Sequence, residues 1–285
     1  ATQFGQSKNL IINGAMQVWQ RGTSTTSSGA YQADRFWVAQ QGTYARDNSA
    51  PDGFQYSAKL THSSSNMSIG TPIELPATGN ASPLVSGNTF TVSFYAKADS
   101  GTEDINLLCR YRNSKFSSTN QVDFTGTGQT FTLTTSWQRF TKTFTIPTVN
   151  ANNTIISIEI DGIGATAYFA GFQAELGSTA TDFEHRSYGE ELALCQRYCQ
   201  ISRVSVYENG NGVNHALSCN TPFFAVLRAS PTATLVSATH TTNVDTSTYI
   251  PSTVGVDARG FVIRVITLSI NATDYRSLWK FDAEL

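Results

Sequence analysis

The feature that most constrains this chain is a repeated alternation of apolar and polar residues in short segments between positions 69 and 176. Successive side chains of a β-strand point to opposite faces of a sheet, so each segment would bury one face and leave the other polar. Turn-forming residues separate the segments. The pattern predicts an all-β, jelly-roll-like antiparallel sandwich. The apolar positions of the four clearest segments are Phe90, Val92, Phe94 and Ala96; Ile105, Leu107, Cys109 and Tyr111; Ile156, Ile158 and Ile160; and Phe172, Ala174 and Leu176.

One further strand, around Phe140 and Phe144, places Lys142 among its inward positions. A long lysine stem can keep its ammonium group in water at a sheet edge or at a β-bulge. The sequence leaves both explanations open.

The composition suits such a fold and excludes several function classes. Charged residues make up 14% of the chain, against about a quarter in an ordinary soluble domain, while 40% is hydrophobic. The net charge of −2 and the lack of a basic cluster argue against nucleic acid as a partner. Because the opening residues contain no long apolar stretch, we expect neither a signal peptide nor membrane insertion.

The four cysteines, Cys109, Cys195, Cys199 and Cys219, contain no Cys-x-x-Cys pair. Buried free thiols that pack as small apolar groups are the simpler interpretation. We therefore expect no zinc, no disulfide framework and no cofactor.

A helix is predicted to connect two domains. Ser187 and Glu190 form a capping box, in which each side chain satisfies a backbone donor of the other. Apolar residues then recur at helical spacing as far as Ile201 and have no assigned partner. We expect a sandwich domain over residues 1–185, a helix over 186–202 and a smaller β domain over 203–285.

The smaller domain has its own strand signals. Segments 204–207 and 215–219 flank a Glu-Asn-Gly-Asn-Gly stretch at 208–212, which is typical of a β-hairpin. Further strands are expected over residues 261–268 and 278–285.

Motifs at both ends and in the middle of the chain resemble a known protein family. They are NLIINGAMQVWQRG at 9–22 with ADRFW at 33–37, FQAELG at 172–177 with ATDFEHRSYGEELALCQRY at 180–198, and LRASPT at 227–232 with the closing DAEL. Together they resemble phage tail-fibre and tail-associated virion proteins. The first domain of that family is similar to carbohydrate-binding jelly rolls.

That resemblance implies a virion protein that is made in the host cytoplasm, docks on other virion proteins and binds host-surface glycans as a homotrimeric tail fibre or receptor-binding component. It also leaves room for a structural calcium ion, to which Asp34 or Asp182 could contribute. Two alternatives remain open: a capsid decoration or head-fibre protein without receptor binding, and a polysaccharide-degrading tail enzyme.

An enzyme is not expected, because no catalytic motif is present and no carboxylate pair stands out among Glu159, Asp161 and Glu175.

Glycan binding requires an exposed aromatic ring beside amides, carboxylates or arginines. The polar faces of the predicted strands supply the candidates Tyr95, Arg110, Arg112, Gln173 and Glu175. The loops at 209–214 and 239–249 offer a rival site, since loops at one end of a sandwich often carry recognition.

Two tryptophans, Trp19 and Trp37, could also stack on sugars. Both neighbour apolar strand residues, so we interpret them as core aromatics. We interpret Asp34 and Arg35 as a structural pair or hydrogen-bond anchor.

Overall fold

The computed structural model describes residues 7–39, 41–64, 66–75, 84–208, 216–242, 257–266 and 273–284. The chain divides into two compact units, residues 1–191 and 192–284. Each is almost entirely β-structure.

The first unit is an antiparallel sandwich of two sheets. The first sheet has the strand order β1-β3-β4-β12-β6-β10, and the second has the order β2-β5-β11-β7-β8, with β9 also paired to β7. The predicted jelly-roll-like sandwich is thereby confirmed. The strands are β1 (Ser24–Thr25), β2 (Trp37–Ala39), β3 (Gly42–Asp47), β4 (Ser57–His62), β5 (Met67–Glu74), β6 (Thr89–Ala98), β7 (Glu103–Arg112), β8 (Val122–Asp123), β9 (Gln129–Leu133), β10 (Gln138–Thr145), β11 (Ile155–Ile163) and β12 (Ala167–Leu176).

The core of this unit lies between the two sheets, where the alternation predicted it. Phe90 and Phe94 of β6 are fully buried against apolar residues of the second sheet such as Leu107 and Ile158. Lys142 lies on β10, which is the edge strand of the first sheet. Its ammonium group donates to the side-chain oxygen of Gln129 at 3.1 Å, so the edge location is the explanation that holds.

The N-terminal Asn-Leu-Ile-Ile-Asn-Gly motif packs along β12. Asn9 donates to the Phe172 carbonyl at 3.0 Å and accepts from the Ala174 amide at 3.1 Å. A Cβ on Gly14 would lie 2.0 Å from the Phe172 oxygen. Glycine is required there because the two backbones touch.

Residues 177–186, which follow β12, form a segment that we call the strap. Thr91 donates its hydroxyl to the Gly177 carbonyl at 2.7 Å. The strap continues to Arg186, whose guanidinium donates to Ser7 Oγ at 2.6 Å and to the Asn9 carbonyl. The strap thus lies on the outer face of the first sheet and ends beside the N-terminal segment.

The helix α1 (Tyr188–Gln196) begins where the capping box predicts. The Ser187 amide donates to the Glu190 carboxylate at 2.9 Å, and the Glu190 amide donates to Ser187 Oγ at 3.3 Å. The helix is shorter than the predicted range of 186–202. A turn from Cys195 to Tyr198 ends it, and strand pairing then competes successfully for the following residues.

The second unit is the predicted smaller β domain. Its core contains Val204, Phe223, Phe261, Trp279 and Phe281. Its strands are β13 (Cys199–Glu208), β14 (Ala216–Pro222), β15 (Thr232–Thr242), β16 (Gly260–Ile266) and β17 (Thr273–Asp282), in the orders β13-β17-β15 and β14-β16.

The predicted hairpin of the second unit is wrong. β13 pairs over its whole length with β17, and β14 pairs with β16. Among the described residues β13 and β14 thus lie in different sheets, and the Gly-rich stretch at 209–215 lies outside the described residues.

Two further properties concern the chain as a whole. Cys109, Cys195 and Cys199 are buried free thiols, and Cys219 is a half-buried one. Among the described residues, no helix has the length and apolar character needed to cross a membrane.

Candidate functional site

The two sheets differ in how much of their outer faces is available to a ligand. The strap covers the middle of the first sheet, where Thr91, Ser93, Gln173 and Glu175 are all buried. The outer face of the second sheet, formed by outward side chains of β2, β5, β7, β8 and β11, retains several half-buried and exposed polar residues. We call it the second-sheet face.

Strand register fixes which residues are neighbours on this face. In one row, Trp37 lies opposite Gly70, Gly70 opposite Glu159 and Glu159 opposite Leu108. In the next row, Pro72, Ser157 and Arg110 lie side by side, followed by Asp123 of β8. The face therefore brings side chains from five strands together.

A buried ion pair holds one part of the face together. The Arg112 guanidinium lies 3.1 Å from the Glu159 carboxylate, which also accepts from Ser157 Oγ at 2.6 Å. Burial lowers the pKa of Arg112, and the neighbouring Glu159 carboxylate opposes that shift. Since both side chains are largely shielded from water, the pair serves the structure of the face.

The loop of residues 113–121, between β7 and β8, folds over this ion pair. Arg112 donates to the carbonyl of Lys115 at 3.0 Å. Lys115 in turn donates to the Gly29 carbonyl at 2.8 Å, and its ammonium group lies 4.3 Å from the centroid of the Tyr31 ring. The loop is thus fixed at its base by hydrogen bonds to two other segments.

Phe116, at the tip of this loop, packs edge-on against Trp37 with ring centroids 4.9 Å apart. Trp37 is only 2% exposed, and its indole N–H has no hydrogen-bond partner among the described residues. Phe116 itself is 46% exposed. The pair forms an aromatic platform whose upper ring faces water.

Trp19 and Trp37 are both buried aromatics, as predicted, but Trp19 lies between the two sheets and Trp37 lies outside that cluster. Val38 occupies the inward position of β2, so alternation turns Trp37 outward. The indole fits because Gly70 lies beneath it, where a Cβ would come within 2.2 Å of the ring. Trp37 is buried by Phe116 instead.

The other part of the face carries polar groups that water can reach. Arg110 lies 3.4 Å from Asp123, whose side chain is 47% exposed and accepts from Gln121 at 2.8 Å. Asp161 accepts from Ser68 at 2.7 Å. Such fixed arrays of donors and acceptors can hydrogen-bond sugar hydroxyls.

The structure divides the five residues predicted for glycan binding between the two sheets. Arg110 and Arg112 lie on the second-sheet face, Arg110 in its accessible part and Arg112 in the ion pair described above. The remaining candidates are on the outer face of the first sheet.

Those first-sheet candidates make internal contacts. The Gln173 amide nitrogen donates to the Asp182 carbonyl at 3.2 Å, and the Glu175 carboxylate accepts from the Thr181 amide and hydroxyl at 2.9 and 2.8 Å. Tyr95 is half-buried, with the Phe54 ring 5.5 Å from its own. Gln173 and Glu175 thus hold the strap and have little surface left for a ligand.

Phe116, Gln121 and Asp123 are site residues that sequence reasoning missed. They lie in a polar loop and a two-residue strand, where alternation gives no signal. The rival loop at 209–214 lies outside the described residues, as does the part of the 239–249 loop from residue 243 onward.

Of the two residues considered for calcium, Asp34 has other partners. The Asp34 carboxylate accepts from Arg21 at 2.6 Å and from Gln20 at 2.8 Å. Arg35 donates to the Pro72 carbonyl at 2.8 Å and so serves as a hydrogen-bond anchor. Within the part of the chain that the structure describes, no three His, Cys, Asp or Glu side chains are grouped to hold a metal ion.

Comparison with known proteins gives one match to a family model. Residues 36–162 match the family CBM_4_9, described as a carbohydrate binding domain. This range lies wholly within the first unit and includes β2, β5, β7, β8 and most of β11. No curated protein matches the chain.

Several solved structures are similar to the first part of the chain. A CBM4 structure is 20% identical, with a TM-score of 0.39, and covers 60% of this chain and 99% of its own. The CBM22-1 xylan-binding domain from Paenibacillus barcinonensis Xyn10C is 12% identical, with a TM-score of 0.37, and covers 59% and 93%. The enzymatically active domain of bacteriophage CBA120 tailspike protein 4 is 15% identical, with a TM-score of 0.39, and covers 59% and 21%.

Proposed function

We propose that this chain is a carbohydrate-binding component of a bacteriophage tail fibre and that its first unit holds host-surface glycans on the second-sheet face. The observation that carries the proposal is the match of residues 36–162 to a carbohydrate binding domain. Four side chains of the second-sheet face fall in that range: Phe116, Gln121 and Asp123, which water reaches, and Arg110, which is 13% exposed and pairs with Asp123.

The chemistry of the face supports sugar binding. Phe116 offers an exposed ring on which the C–H groups of a pyranose can pack, with Trp37 supporting it from below. Arg110 and Asp123 supply a donor and an acceptor for the hydroxyl groups. Because Arg110 and Asp123 already hold one another, a sugar would meet a largely preorganised array.

We infer binding without hydrolysis. Glycosidases need one carboxylic acid that donates a proton and a second carboxylate on the opposite side of the bond. The carboxylates of this face are engaged as acceptors: Glu159 with Arg112 and Ser157, and Asp161 with Ser68. Acceptors fixed in this way suit hydrogen bonding to a neutral ligand.

The direct test is a glycan array with the full chain, followed by titration of any ligand found. Arg110→Ala and Asp123→Ala should each weaken binding about tenfold, since each removes a polar contact at the site. Thr143→Ala, on the outer face of the first sheet, is the matched control and should leave affinity unchanged. An array with no bound glycan, or equal losses in all three variants, would overturn this site.

The tail-fibre part of the proposal rests on the family resemblance of the motifs described above. Immunogold labelling of the parent phage should place the chain at the tail, and purified protein should compete for adsorption. Label at the head would favour a decoration protein. Light scattering should give the mass of a trimer at micromolar concentration, and a monomeric mass would contradict the proposed homotrimer.

A further inference from the structure

A second cluster of aromatic and charged side chains lies on the outer face of the first sheet, beyond the part that the strap covers. Strand register places Tyr168 of β12 between Lys59 of β4 and Lys97 of β6, as the residue opposite both. Trp137, next to the start of β10, extends the same row. We call this row the lysine row.

The two lysines share one ring. The ammonium nitrogen of Lys59 lies 5.1 Å from the centroid of Tyr168, and that of Lys97 lies 4.7 Å from it. Lys97 is also 5.6 Å from the Trp137 ring, which meets Tyr168 edge-on at 6.4 Å. The row therefore places two positive charges where a single bound anion would interact with both.

Two carboxylates lie near the row. The Asp99 carboxylate accepts a hydrogen bond from the Tyr168 hydroxyl at 2.7 Å. The Asp47 carboxylate accepts one from the backbone amide of Ser49, also at 2.7 Å. The hydrogen bond to Tyr168, together with these carboxylates, raises the pKa of Lys59. Lys59 is therefore a full cation at neutral pH.

We propose that the lysine row is a second saccharide site, selective for acidic sugars. The carboxylate of a uronic acid would lie between Lys59 and Lys97, and its pyranose ring would pack on Trp137, which is half-buried with part of its ring open to water. The inference takes its ligand class from the proposed sugar binding of the first unit. It adds a different site and a different charge requirement.

The order of groups along the lysine row favours a sugar over a bare anion as the ligand. A small anion needs only the ammonium groups. The half-exposed indole beside Lys97 provides an apolar surface of the kind on which a sugar ring packs, in line with the charges. A charged group attached to a ring matches both parts.

The test is calorimetric titration of the full chain with oligogalacturonate and with its methyl ester, which has the same backbone without the charges. We expect the acid to bind at least ten times more tightly than the ester, and we expect this preference to fall as salt is added. Equal binding of acid and ester, or no binding of the acid, would overturn the proposal.

Variants assign the binding to the row. The double variant Lys59→Gln/Lys97→Gln should lose the preference for the acid, whereas Lys97→Arg should retain it. Trp137→Ala should weaken binding of the acid about fivefold. Lys142→Gln is the matched control, because it removes one positive charge from the edge strand outside the row. A double variant that still prefers the acid would overturn the assignment.

The second-sheet face gives the internal reference. Asp123→Ala should leave oligogalacturonate binding intact, and the double lysine variant should leave intact the binding of any neutral glycan that the array identifies. Loss of oligogalacturonate binding in Asp123→Ala would count against the lysine row, whereas loss of neutral glycan binding in the double lysine variant would count against the second-sheet face.

Discussion

The outer faces of the two sheets begin from the same sequence pattern and end with different roles. On both, polar residues alternate with apolar core positions. On the first sheet the strap covers these polar residues, and Gln173 and Glu175 form hydrogen bonds with strap residues. On the second sheet the 113–121 loop covers only part of the face, so the Asp123 side chain remains 47% exposed, while that of its partner Arg110 is 13% exposed.

The comparison shows that polarity at an outward strand position is not by itself a sign of ligand binding. Two residues of the second-sheet face show the same difference, because Arg112 and Arg110 are two residues apart on β7. Arg112 is buried with Glu159, while Arg110 pairs with a half-exposed carboxylate. Whether a third segment of chain lies above a polar residue decides which role it has.

The largest effect should come from breaking the buried ion pair. Arg112→Met should lower the free energy of unfolding of the first unit by about 3–5 kcal/mol, because Glu159 is left buried without its countercharge. Hydrogen exchange of the β7 and β11 amides in the full chain would measure it. Arg112→Met/Glu159→Met should recover most of the loss. A loss below about 1 kcal/mol in the single variant would contradict the structural role given to Arg112.

Glu175→Ala should follow, at about 2–3 kcal/mol, because it leaves the partly buried Thr181 amide without its acceptor and removes one acceptor of the Gln173 amide. Asp123→Ala, the carboxylate removed from the other face, should cost less than about 1 kcal/mol. Denaturant titration of the two variants would compare them. Binding should change in the opposite order, and matching stability losses would remove the distinction between the two faces.

A smaller effect is expected at the aromatic platform. Phe116→Ala should weaken glycan binding about fivefold and shift Trp37 fluorescence to the red, since water reaches an indole that is now 2% exposed. Phe224→Ala removes an exposed ring from the second unit and is the control. If both variants bind equally well, Phe116 is not part of the site.

The smallest effect concerns pH at the end of the strap. Burial raises the pKa of Glu191, although its contacts with Arg186 and with the Asn13 amide oppose the shift. A raised folded-state pKa gives stability that is full below the unfolded pKa and is lost as the pH rises through the folded value. Glu191→Gln should therefore melt at pH 7 no lower than the wild type.

That variant should have no such advantage near pH 4, where Glu191 is largely protonated in the folded chain. Melting temperatures of both proteins across this range would decide the matter. A variant that melts well below the wild type only at pH 7 would mean that the charge on Glu191 is a net stabilising contact.

The sequence predicted those features that depend on local pattern. Alternation identified the core positions of β6, β7 and β11, and the capping box identified the first residue of the helix. Alternation cannot tell whether an outward residue such as Gln173 will be covered, because the strap that covers it is a separate segment. The predicted hairpin was wrong because β13 pairs with β17, which lies more than sixty residues further along the chain. Local alternation carries no information about such distant pairing.

The N-terminal motif has a consequence for how the chain folds during synthesis. Asn9 and Gly14 find their partners on β12, and Asn13 donates its amide to Glu191 at 2.5 Å. At a ribosomal rate of about 5–20 residues per second, residues 9–14 wait roughly 10–30 s for these partners to be translated. The first unit therefore closes late, because residues 9–14 gain their contacts with β12 and α1 only after those elements have been translated.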